Sequence, residues 1–147
     1  MKIVSDAKAS EEIRQLLIGL HLTEVVKVEF SWHFVFNSGN ASLNVECPWR
    51  IIANGRIAHG CDDHDQMFGL PAPVDGIGRS MQILSASPVI SVILGAETGD
   101  LRIEFEDRRY LEFFNSSSGY EGWSLRSRSN PSFCLVAMGG GKLAIAQ

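Results

Sequence analysis

Cysteine is scarce in this 147-residue chain: three thiols, Cys47, Cys61 and Cys134, with no Cys-x-x-Cys spacing. An odd, dispersed set of this kind does not make a disulfide framework and suits a reducing compartment, so a cytoplasmic setting is expected. Long apolar runs are missing too. Nothing approaches the roughly 20 residues that cross a bilayer. The N-terminal stretch is interrupted by Asp6, Lys8, Glu11, Glu12 and Arg14, which leaves no signal-peptide core. No membrane partner is expected. Positive charge falls short as well, with 13 Lys and Arg against 17 Asp and Glu and a net charge of -4. Arg102, Arg108 and Arg109 are interleaved with Glu104, Glu106 and Asp107. That mixture is no footprint for a polyanion, and nucleic acid is not expected as a partner.

Catalytic signatures are equally sparse. There is no Gly-x-Ser-x-Gly elbow and no His-Glu-x-x-His. Gly139-Gly140-Gly141-Lys142 resembles the end of a phosphate loop, but Leu143 stands where Ser or Thr is needed. No pair of carboxylates is placed by its spacing as a glycosidase dyad. No cofactor is expected.

What the chain does have is repetition. Val26 to Trp49 and Val89 to Trp123 each give a β-rich apolar segment, an alternating strand ending in Phe (Phe36, Phe105) and a polar turn. Each continues with Leu-x-apolar (Leu43 to Val45, Leu111 to Phe113) and closes on a tryptophan. A period of this length with strand-like content predicts a duplicated supersecondary unit, spanning about 22–59 and 87–126, whose halves share one core. Ser10 to Leu20 has the caps and spacing of a helix, with Ile13, Leu16, Leu17 and Leu20 on one side. Val26 to Phe36 alternates, placing Val26, Val28, Phe30, Trp32, Phe34 and Phe36 on one face, and its length predicts a bend or tight turn near Ser31. Asn54-Gly55 predicts a hairpin between Trp49–Ala53 and Arg56–His59. The connection at about 62–85 should hold a second helix from Val74 to Leu84, and Asp62 or Asp63 could cap a short one with Met67 and Phe68 as its apolar side. Arg126 to Pro131 reads as a polar, mobile stretch. Phe133 to Ala137 reads as an edge strand, through which a homodimer could form, followed by a short tail. The expectation is one α+β domain over 1–147, predominantly antiparallel β, its two β units forming facing sheets or a partly closed barrel.

Two constellations could carry function. The repeat endings bring Trp49 and Arg50 into correspondence with Tyr120, Glu121 and Trp123. Residues of these types dominate binding hot spots, so they could line one amphipathic cleft. Alternatively the indoles plug the sheet core while Arg50 and Glu121 form an ion pair. The second constellation is the loop His59 to Asp65, where His59, Cys61, His64 and Asp65 are ligand types suited to zinc, although their spacing matches no established zinc pattern. A solvated acidic turn explains the same carboxylates.

Pro48-Trp49-Arg50, the Asp63 to Pro71 segment, Gly99-Asp100-Leu101 and Tyr120-Glu121-x-Trp123, in this order, resemble a family of small bacterial proteins of unknown function. The resemblance covers about Leu17 to Leu125 and implies no catalytic residues. Compact acidic chains of this kind are also similar in character to immunity proteins that neutralise bacterial toxins. The reading that follows is a non-enzymatic binding or interaction domain with a protein partner or a small ligand. Its alternatives are an immunity protein and a small hydrolase, possibly metal-dependent, working through the 59–65 loop.

Overall fold

The computed structural model describes residues 1–129 and 133–146. Helix α1 (Asp6–Leu17) starts earlier than its hydrophobic spacing suggests. Ser5, not Ser10, is the N-cap, its Oγ accepting from the Lys8 N–H at 3.1 Å. Ala9, Ile13 and Leu17 recur every four residues and are buried, the periodicity of one helix face. Gly19, at φ +90°, then takes the left-handed conformation that ends a helix, which keeps Leu20 out. Helix α2 (Gly76–Leu84) begins at the Asp75 cap, whose carboxylate accepts from Gly78 N at 3.0 Å.

Each helix precedes an antiparallel meander. The first comprises β2 (Leu22–Val28), β3 (Ser31–Phe36) and β4 (Ala41–Val45). The second comprises β7 (Val89–Leu94), β8 (Leu101–Phe105) and β9 (Arg109–Phe113). Glu29-Phe30 makes the tight turn between β2 and β3, with Glu29 at φ +54°. The turn resets the alternation, so the single expected face from Val26 to Phe36 is corrected. Trp32, Phe34 and Phe36 are buried, but on β2 the buried positions are Leu22 and Val25, and Phe30 is 91% exposed at the hairpin tip. The predicted hairpin of β5 (Trp49–Ala53) and β6 (Arg56–Gly60) is present, with Asn54 and Gly55 both at positive φ, as a two-residue hairpin turn demands.

The chain then does something the repeat alone does not announce: each unit gives its fourth strand away. β5 leaves the first meander and pairs with β9, while β10 (Trp123–Ser127) leaves the second and pairs with β4. The result is two facing antiparallel sheets, ordered β1-β12-β11-β10-β4-β3-β2 and β6-β5-β9-β8-β7, each with free ends and so not a closed barrel. The flanking strands are β1 (Lys2–Val4), β11 (Cys134–Ala137) and β12 (Leu143–Ala146).

The exchange is symmetric to the residue. In the larger sheet Val45 stands between Trp32 and Trp123, and Leu43 between Phe34 and Leu125. In the smaller sheet Phe113 stands between Leu101 and Trp49, and Leu111 between Ile103 and Ile51. All twelve side chains are buried. A register shift falls after Leu22 in β2 and after Val89 in β7, the matching position. The helices are exchanged too, α1 packing on β7 and α2 on β2. Backbone bonds of 2.8 Å from Gly19 N to Val89 O and from Val89 N to Leu20 O fasten the first of these contacts. One hydrophobic cluster takes residues from both sheets and both helices, so neither unit encloses a core of its own.

Four expectations need correcting. Asp62 and Asp63 start a turn rather than a short helix. β11 lies between β10 and β12, so it is no edge and offers no route to a homodimer. The glycine run does not release a tail but turns the chain into buried β12, which also pairs with β1. Arg126 and Ser127 belong to β10, and the rest of the stretch read as mobile reaches Asn130 and Pro131, which lie outside the described residues. Among the described residues, no helix is long and apolar enough to cross a membrane.

Candidate functional site

The repeat endings do not form a cleft. Trp49 and Trp123 open β5 and β10 and are 2% and 1% exposed, because strand exchange carries each indole under the opposite sheet. Trp49 meets Trp32 edge-on at 5.0 Å and Phe34 at 5.1 Å between ring centroids, the T-shaped geometry that aromatic quadrupoles favour. The Nε1–H of Trp123 donates to the Gly99 carbonyl at 2.8 Å. Arg50 does not pair with Glu121. Its Nε lies 2.9 Å from Oε1 of Glu112, the residue opposite it on β9. On the same outer face Arg102 stacks over the Tyr110 ring at 3.7 Å. Of the five residues read as one surface, only Tyr120 and Glu121 are fully exposed.

The 59–65 loop is assembled around the core rather than around an ion. His59, on β6, has no exposed surface, and its ring packs 5.7 Å from that of Trp49. The nearest carboxylate oxygen, Asp63 Oδ2, is 4.0 Å from Nδ1 and is already engaged by the Gly60 N–H at 2.9 Å. His64 turns the other way. Its Nδ1 accepts the N–H of Gly76 at 2.9 Å, so its proton sits on Nε2, 3.5 Å from Asp65 Oδ2. Gly76 is needed where it stands: a Cβ there would lie 2.9 Å from His59 Nε2 and 3.0 Å from His64 Cβ. Among the described residues no three His, Cys, Asp or Glu side chains are grouped to hold a metal. His59, Cys61, His64 and Asp65 therefore do not converge. Burial pushes the thiols of Cys61 and Cys134 up, and that of Cys47 up to about 12, which makes all three poor nucleophiles at neutral pH.

No model of a known protein family, no curated protein sequence and no solved structure matches the chain. The surface itself is therefore the guide. Beyond His64 the chain stays exposed from Asp65 to Pro73, with Met67 47%, Phe68 66% and Leu70 48% exposed. Met67 and Phe68 were expected to be the inner side of a short helix, and they point outward instead. The loop is nonetheless held. Asp65 N donates to Val74 O at 2.8 Å, Val74 N to Gln66 O at 2.9 Å and Leu70 N to Met67 O at 2.7 Å. Asp65 and Phe68 sit at φ +66° and +46°, a conformation that costs a residue with a side chain on the order of 1–2 kcal/mol. Such a conformation persists where surrounding structure enforces it, as it also does in the turns at Glu29, Asn54 and Asp107.

Buried His59 on β6 is expected to make the fold acid-sensitive. Desolvation holds its pKa below the ordinary 6.5, with Asp63 opposing and Arg79 and His64 adding to the shift. The unfolded chain therefore binds the proton more readily than the fold does, so stability is full above about 6.5 and is lost as pH falls from there toward the folded pKa. The urea midpoint is expected to drop between pH 7.5 and 5, and to drop less in His59→Leu. Equal drops in the two proteins would show that carboxylates alone carry the effect.

Proposed function

We propose that the protein is a non-enzymatic interaction domain that captures a protein partner through the 62–75 loop. The observation that carries this reading is a fastened, strained loop presenting Met67, Phe68 and Leu70 to solvent beside the exposed carboxylates of Asp62 and Asp65. An apolar centre with a charged rim is the anatomy of a protein interface. No Lys or Arg lies between Arg56 and Arg79, so complementarity favours a basic partner. An immunity-type protein holding a basic toxin is one version of this reading. A hydrolase reading has less support, since the Asp63 carboxylate 4.0 Å from His59 is engaged by Gly60 N–H and His64 has beside it only the solvent-exposed Asp65 carboxylate at 3.5 Å, among the described residues.

A photo-crosslinking residue placed at Phe68 in the producing cell should give one discrete heterologous adduct. The same residue at Ile57, 63% exposed on β6, should give none. Absence of an adduct at Phe68, or one ladder common to both, would contradict the reading. Phe68→Ser should weaken capture about 10-fold or more, as loss of a buried aromatic anchor does. Because Phe68 is exposed in the free protein, its stability should move by no more than about 0.5 kcal/mol.

A further inference from the structure

The strand exchange requires two crossings between the sheets, Glu46-Cys47-Pro48 and the chain from Phe114 to Gly122. They run against each other, with Glu46 N and Cys47 N both donating to Gly122 O at 2.8 and 3.1 Å, and Phe114 N donating to Pro48 O at 2.9 Å. Two clefts flank this seam and share Glu46 and Cys47 as common walls. One, of about 250 Å³, is bounded by Ser116, Ser117, Tyr120 and Glu121. The other, of about 270 Å³, is bounded by Phe30, Trp32, Cys61 and Asp62. Both fall below the roughly 300–1,000 Å³ of small-molecule sites, which suits single side chains of a longer ligand.

Together the two clefts make a groove in two parts, divided by Glu46 and Cys47, with Phe30 bounding one part and Tyr120 the other. Those rings, Phe30 at 91% and Tyr120 at 84%, are the most exposed aromatic side chains among the described residues. The same walls carry Glu46, Glu121 and Asp62, none of which has an ion-pair partner among the described residues. The one cation lining the groove, Lys27, is already engaged there: its Nζ donates to the Glu29 carbonyl at 2.6 Å and sits over the Trp32 ring at 5.7 Å. Free carboxylates between accessible aromatic faces recognise cationic side chains through ion pairs and cation–π contact. Asp62 also begins the 62–75 loop, so groove and loop adjoin at this residue.

We infer that an extended lysine- or arginine-rich segment of the partner lies in this groove across the crossover seam. The inference rests on the partner-capture reading and names the chemistry of what is captured. It is tested with a fluorescent Lys-Ser repeat peptide and fluorescence anisotropy on the full chain. Glu46→Gln with Glu121→Gln should weaken binding about 10-fold or more, and Tyr120→Ala or Phe30→Ala about threefold each. The charge-matched pair Glu24→Gln with Glu106→Gln, on exposed positions away from the groove, should change it less than about twofold. Equal loss in both carboxylate pairs, or no loss in the groove variants, overturns the inference. If that happens while the Phe68 adduct persists, the partner is bound without the groove. If the Phe68 adduct is also absent, the capture reading falls with it.

Discussion

Trp49→Ala is expected to cost about 3–5 kcal/mol in urea unfolding, the range for removing a fully packed large aromatic. Trp49 sits against Trp32 and Phe34 of one sheet while it pairs with Phe113 in the other, so its removal opens a void where the two sheets meet. Trp123→Ala should cost as much and additionally deprive the Gly99 carbonyl of its donor, a loss of about 1 kcal/mol or more for a buried group. Against a total stability of about 5–15 kcal/mol, either loss is a large fraction of the whole. A loss below about 1 kcal/mol for both would mean that the indoles are surface groups after all, and the interaction surface would have to be sought there.

Gly141→Ala should be comparably damaging for a different reason. Gly141 has φ +91°, and a Cβ there would run into the carbonyl oxygen of Glu97 and lie 3.0 Å from its carbon, a backbone obstacle that no side-chain rotation removes. Overpacking of this kind costs about 1–3 kcal/mol, and the left-handed backbone adds on the order of 1–2 kcal/mol. Gly140→Ala is the control. It has a similar φ of +81° but its nearest contact, Ser118 O, is 3.7 Å away, so it should show only the backbone penalty. Equal losses in the two variants would place the whole effect in the dihedral and none in the packing against the β7–β8 turn.

The strands were legible because their side chains alternate and their turns carry turn chemistry. Asn54-Gly55 announced one hairpin, and the paired motifs from Val26 to Trp49 and Val89 to Trp123 announced the repeat. Partner choice was not legible. Nothing local in Trp49-Arg50-Ile51 says whether β5 continues its own meander or joins the other, since either neighbour presents the same buried rungs of Leu43 and Val45 or Leu111 and Phe113. That decision is made by the shared core, and it is why the tryptophans read as a cleft became its interior. Phe30 was misplaced because the Glu29-Phe30 turn has no glycine or proline to mark it. Met67 and Phe68 were misplaced because Asp63 looks like a cap, while Gly69 and Pro71, which stop any helix there, carry the contrary signal.

Strand exchange is the claim on which both the buried indoles and the crossover groove depend, and interstrand proton contacts report it directly. In an isotope-edited nuclear Overhauser spectrum, the exchanged order predicts cross-strand contacts of Leu43 with Leu125 and of Ile51 with Leu111. Contacts joining Leu43 to Ile51 and Leu111 to Leu125 instead would mean that each meander keeps its own fourth strand, and would contradict the account.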